Sequence, residues 1–217
     1  MRSRPAPSEV AGPGRLLKRA YTILVAFGSI VWFALGVEWF RSMRGIPLLI
    51  EAGSTGSLEH YPFLSVIVPA RNEAKSIRTS VESMLAHTYP GELEVIVIDD
   101  RSTDGTNEIL QTLQRTNPER LKVLRVSDLP EGWLGKNHAL YLGSKSAQGE
   151  WLLFTDADVR FSPNCFEYAM NYATGKGLHH LTLPPEILSR GSLLRGFVAA
   201  FTLIFTVAQR PWRARDP

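Results

Sequence analysis

Two carboxylates one residue apart, Asp156 and Asp158, follow the apolar run Trp151-Leu152-Leu153-Phe154-Thr155. At that spacing they can hold a divalent cation, and the cation can in turn hold phosphate oxygens. A second apolar run, Val95-Ile96-Val97-Ile98, leads into Asp99-Asp100-Arg101-Ser102-Thr103-Asp104-Gly105-Thr106. A third, Phe63-Leu64-Ser65-Val66-Ile67-Val68-Pro69, leads into Ala70-Arg71-Asn72-Glu73. Glu73 and Asp100 can accept hydrogen bonds from the hydroxyl and N–H groups of a ligand, and Lys136 offers a cation to an anionic group. Carboxylates at the ends of successive strands point to the carboxyl edge of an open α/β sheet, where such folds bind ligands. The plain alternative for Asp156 and Asp158 is a turn, a common place for Asp. Asp104 has two equal readings, a ligand contact or a cap on the following helix.

The elements that must position these groups are legible from periodicity. Apolar runs at 63–69, 95–98, 121–126 and 151–155 read as buried strands. Between them lie helical patterns: Ser76 to His87 with Ile77, Val81, Met84 and Leu85 on one face, and a second carrying Ile109, Leu110 and Leu113, capped by Thr103 or Thr106. A short helix is expected through Ala139-Leu140 and another from Pro163 to Tyr172. This alternation predicts an α/β fold, a mainly parallel sheet with helices on both faces. His179 to Leu183 reads as a further strand, and adjacent His179 and His180 would then face opposite sides, which argues against them as a metal pair.

The flanks differ from this core. Residues 1–19 are rich in Pro, Gly, Ser and Arg and are expected to be a disordered basic tail. Residues 20–40 carry an 18-residue uncharged run from Ala20 to Val37, with Trp39 and Phe40 suited to an interface, and read as a transmembrane helix. A signal peptide is the rival, but the apolar run is long and no clean cleavage site follows. Residues 41–61 read as a linker with Gly53-Ser54-Thr55-Gly56-Ser57 as its flexible part, and residues 62–190 as the folded domain that carries the acidic motifs. Residues 191–217, with the apolar stretch Phe197 to Ala208 between Arg190, Arg195 and Arg210, read as an interfacial membrane segment or a buried core helix.

The net charge of +3 is concentrated near the ends, in Arg2, Arg4, Arg15, Lys18 and Arg19 and in Arg210, Arg213 and Arg215. Basic clusters beside apolar stretches fit anionic lipid headgroups, and no basic stripe marks a nucleic-acid partner. Cys165 is the only cysteine, which excludes an intrachain disulfide and a cysteine-based zinc site. The excess of basic residues before the apolar run favours a cytoplasmic N-terminus. A domain that used a nucleotide-linked donor would be expected in the cytoplasm too, at the inner (plasma) membrane. The segment is then expected to re-enter without crossing, or the charge rule fails here.

The motifs Val68-Pro69-Ala70-Arg71-Asn72-Glu73, Ile98 to Thr106 and Phe154-Thr155-Asp156-Ala157-Asp158 resemble, in order, those of family-2 glycosyltransferases with the GT-A fold. Gly132-Trp133-Leu134-Gly135-Lys136-Asn137-His138-Ala139-Leu140 is similar to the membrane-associated branch that includes hopanoid-associated and carotenoid glycosyltransferases. The resemblance implies a nucleotide-sugar donor, with uridine over guanosine, bound by Glu73 and Asp100 with Asp99 and Arg71 as lesser contributors. It implies Mg²⁺ or Mn²⁺ on Asp156 and Asp158, a lipid acceptor at the membrane, and inverting transfer; a polysaccharide acceptor is the variant. The family's acidic base and its Gln-x-x-Arg-Trp motif have no match, because Gln209-Arg210-Pro211-Trp212 has another order and Glu167 and Glu186 lie in other contexts. The catalytic base is therefore unassigned. The chain is expected to be a truncated product, and a membrane-held nucleotide-sugar-binding fragment without catalysis is the alternative.

Overall fold

The computed structural model describes residues 13–44, 46–54, 56–188 and 191–209. The chain divides into two units, Leu48–Pro185 on one hand and Met1–Pro47 with Glu186–Pro217 on the other.

The first unit is built on four strands, β1 (Leu64–Ala70), β2 (Leu93–Asp100), β3 (Leu121–Val126) and β4 (Trp151–Phe154). All pair in parallel, in the order β3-β2-β1-β4. Parallel strands need crossover helices, and helices on both faces demand strands apolar on both sides. Every residue of β1 but Pro69 and every residue of β2 but Glu94 is accordingly buried. On one face, Val66, Val68, Val95 and Val97 meet α3 (Ile77–Leu85), α4 (Thr106–Thr116) and α6 (Cys165–Gly175) through Ile77, Val81, Met84, Leu110, Leu113, Phe166 and Met170. On the other face, Ile67, Ile96 and Ile98 meet Ala139 of α5 (Gly135–Ser146). Each fully buried side chain of this kind stabilises the fold by roughly 1.5–3 kcal/mol.

The mainly parallel α/β sheet expected from periodicity is present, with differences at the element ends. Asp99 and Asp100 belong to β2 itself rather than to the loop after it. Neither Thr103 nor Thr106 caps α4; Gly105 does, at φ 90°, a left-handed conformation that glycine adopts without steric cost. α5 is longer than read, at twelve residues. The strand expected at His179 to Leu183 does not form: no neighbouring strand is there to pair with it, and its residues are mostly exposed. The argument against His179 and His180 that rested on strand alternation falls with it, although among the described residues no group of three metal-ligating side chains exists anywhere.

The linker expectation also needs correcting. Residues 49–53 form a short helix, α2 (Leu49–Gly53), packed on α6. Gly53 is buried against Tyr168, and Asn171 Nδ2 donates to the carbonyls of Gly53 (3.1 Å) and Gly56 (2.7 Å). A stretch whose composition promises flexibility is thus tied down by one amide side chain.

The second unit contains α1 (Pro13–Met43) and α7 (Ser192–Gln209). Residues 13–19, read as part of a disordered tail, are helical: proline is tolerated in the first turn, and Leu16, Leu17, Lys18 and Arg19 favour helix. Leu17–Arg41 is apolar and long enough to cross a membrane. Near the ends of both helices Trp39 Nε1 donates to Thr206 Oγ1 at 2.6 Å. Arg2, Arg4, Arg190, Arg210, Arg213 and Arg215 and the Gln209-Arg210-Pro211-Trp212 side chains lie outside the described residues.

Candidate functional site

In the order β3-β2-β1-β4, successive crossovers run from β1 to β3 and then jump across the sheet to β4. The strand order therefore reverses between β1 and β4, and open α/β sheets bind ligands outside the carboxyl ends at such a point. The chain places Arg71 and Glu73 after β1, Asp99 and Asp100 at the end of β2, and Asp156 and Asp158 after β4 on this edge.

The loops after β1 and β2 are stitched together. Asn72 N–H donates to Ser102 Oγ (3.0 Å), Thr103 N–H to Asn72 Oδ1 (2.9 Å), and Glu73 N–H to Thr106 Oγ1 (2.8 Å). Asp104 bridges the two loops, accepting from Ala74 N–H through Oδ2 and from Thr106 Oγ1 and N–H through Oδ1. Those bonds, the Thr106 hydroxyl first, hold its carboxyl below the usual carboxylate range. Of its two readings, the structure supports the one that organises the start of α4. Asn72 and Arg101 both have positive φ, 57° and 59°. Such backbone in non-glycine residues costs on the order of 1 kcal/mol or more and clusters at functional sites.

The carboxylates differ in their surroundings. Asp99 is fully buried, its Oδ1 accepting from Ser102 N–H at 3.2 Å and its Oδ2 without a partner. Asp100, on the opposite face of β2, is 4% exposed and held by Arg101 through Nε to Oδ1 (2.7 Å) and Nη2 to Oδ2 (3.1 Å). The Arg101 hydrogen bonds push the Asp100 carboxyl below its ordinary range against the opposing effect of burial, with Arg71 and His138 adding to the lowering. Glu73 Oε2 accepts from Ser76 Oγ at 2.6 Å.

The fourth motif reaches this edge through α5. Gly135 leaves no room for a side chain: a Cβ there would run into Asp100 Oδ2 and lie 3.0 Å from Arg101 Nη2. The next residue, Lys136, donates to Asp156 Oδ1 at 2.5 Å, with both side chains more than half exposed. An exposed pair of this kind contributes at most about 1 kcal/mol, so it is readily exchanged for a ligand. Asp158 is also exposed, beyond buried Ala157. Trp133 packs on His138 (centroids 5.3 Å apart) and Tyr141 (5.2 Å), so the loop before α5 is held by its own aromatic residues. Sequence reasoning missed Arg101. Its type and position inside the acidic motif were visible, but the fork onto Asp100 depends on a left-handed turn that no glycine announces.

This geometry can be set beside known proteins. A family model described as "Glycosyl transferase family 2" matches residues 65–180. The chain is 33% identical over 157 residues to 4,4'-diaponeurosporenoate glycosyltransferase of Staphylococcus aureus, covering 70% of this chain and 39% of that protein. It is 32% identical over 111 residues to a putative teichuronic acid biosynthesis glycosyltransferase of Bacillus subtilis, covering 51% of this chain and 42% of that one. Among solved structures, a mannosyltransferase of Pyrobaculum calidifontis in complex with GDP-Man and Mn²⁺ superimposes with a TM-score of 0.55 at 26% identity, over 70% of this chain and 43% of that one. The chain thus spans about two fifths of the length of the relatives it matches. With the motifs on one sheet edge, a GT-A-like topology and a family match over more than half its residues, the chain belongs to glycosyl transferase family 2.

Proposed function

We propose that this chain binds a nucleotide diphosphate sugar, with UDP as the nucleotide, and transfers the sugar with inversion to a lipid hydroxyl at the membrane face. The observation that carries the reading is the convergence of Glu73, Asp100, Lys136 and Asp156 on the carboxyl edge where the strand order reverses. Glu73 and Asp100 receive the base and ribose, with Arg71 and Asp99 contributing beside them. Lys136 leaves Asp156 for the diphosphate.

Mg²⁺ or Mn²⁺ fits the residues present. Asp156 already attracts a cation, the Lys136 ammonium, and Asp158 lies one residue beyond it. Among the described residues no group of three metal-ligating side chains exists, and two carboxylates suit an ion that would take its remaining ligands from the donor and water. When bound, the ion supplies neutralisation of the diphosphate and of the charge that grows on the departing nucleotide. The carboxylates position it, and Lys136 shares the phosphate charge.

The lipid acceptor is supported by the apolar α1, by the apolar α7 and by the relative whose name specifies a carotenoid acid. The two apolar helices also support a place at a membrane, and use of a nucleotide donor calls for the folded unit on the cytoplasmic side of the inner membrane. The test is transfer from radiolabelled UDP-sugars, offered in parallel, into membranes carrying the full chain. The expected result is label in the organic-solvent extract that requires Mg²⁺ or Mn²⁺. Label confined to water-soluble polymer would overturn the lipid acceptor.

A further inference from the structure

We propose that Arg101 is a positioning residue of the donor site, fixing the Asp100 carboxylate in the orientation in which it receives the nucleotide. The proposal rests on the reading of Asp100 as a nucleotide contact.

Three observations lead there. The first is backbone conformation. Arg101 sits at φ 59°, where glycine or asparagine is the comfortable choice, so an arginine there is justified by its side chain rather than by the turn. Its backbone is fixed on both sides: its own N–H donates to the Asp99 carbonyl at 3.1 Å and the N–H of Ser102 donates to Asp99 Oδ1 at 3.2 Å.

The second is the fork. Nε and Nη2 of one guanidinium engage the two oxygens of one carboxylate at 2.7 and 3.1 Å. Two parallel bonds fix the carboxylate plane, which a single bond does not. A carboxylate oxygen can accept two hydrogen bonds, so the fork leaves one acceptor position of each Asp100 oxygen unused.

The third is location. The pair lies against Gly135 at the start of α5, and the next residue carries the ammonium that touches Asp156. The charged and titratable groups facing the pair are Arg71 and His138 toward Asp100 and Asp128 toward Arg101. With Arg71 also near Asp100, charge compensation alone does not call for a second arginine in a strained turn; orientation does.

The test is calorimetric titration of the detergent-solubilised full chain with UDP and with GDP in the presence of Mn²⁺. Wild type is compared with Arg101→Gln, Arg101→Gly, Arg101→Lys and Asp100→Asn. Arg101→Gly suits the positive φ and keeps the series informative if the glutamine variant folds poorly, with thermal melts checking each protein. Bonds to a charged group are worth enough that Gln and Gly should each weaken nucleotide binding by about tenfold or more. Lysine should recover part of the loss, which a purely structural turn role would not produce. Wild-type affinity in a folded Arg101→Gly chain, alongside loss in Asp100→Asn, would overturn the positioning role and leave the donor site standing. No binding of either nucleotide by the folded wild type would overturn the donor-site reading and this proposal with it.

Discussion

His87 is 4% exposed, stacked on Phe166 at 3.8 Å between centroids, and neither ring nitrogen has a hydrogen-bond partner. Burial, with nearby Arg120 adding to it, pushes its pKa down from 6.5 to about 4. The unfolded chain therefore takes up a proton that the folded chain resists. The neutral ring's stability is complete above pH 6.5 and is lost as pH falls toward 4, where the cost reaches roughly 3 kcal/mol. Thermal melts at pH 7 and pH 4.5 should show a steeper acid loss in wild type than in His87→Phe; equal slopes would contradict it. At this scale the acidic candidates were legible because carboxylates after apolar runs are conspicuous. Arg101 and His87 were not, since one acts through a turn conformation and the other through an environment assembled from α3 and α6.

At the scale of elements, α5 is brought close to the sheet by Gly143. A Cβ there would collide with Ile67 Cγ2 and stand 2.8 Å from Ile98 Cδ1, both fully buried. Gly143→Ala is expected to destabilise the fold by about 1–3 kcal/mol through overpacking, outweighing the gain in helix propensity. Chemical denaturation measures this, and a more stable alanine variant would refute the close approach. The strands were readable because burial on both faces makes them nearly continuous apolar runs. Their ends were not, since Asp99 and Asp100 pair within β2 despite their polarity. α5 was read short because Lys136, Asn137, His138 and Gly143 blur its apolar stripe. A strand was expected at 179–183 because propensity alone cannot supply a partner strand. α2 escaped notice because its burial depends on Tyr168 and Asn171, more than a hundred residues later.

For the whole molecule, one polar edge of a parallel sheet gathers groups from four separated stretches of chain, while α1 adds a helix apolar and long enough to cross a membrane. That gathering is what the ordered motifs implied before any fold was known, and the family membership agrees with it. The acceptor side was less legible: a lipid acceptor came from the resemblance, and no residue type or spacing in the chain names a base. The central claim is therefore the metal-assisted donor site. Its most direct measurement is UDP binding by the detergent-solubilised full chain, with and without Mn²⁺, beside the double variant Asp156→Ala/Asp158→Ala. The account predicts binding that Mn²⁺ strengthens by about tenfold or more in wild type and leaves unchanged in the variant. Binding by a folded wild type that ignores Mn²⁺, or that the variant retains in full, would contradict it.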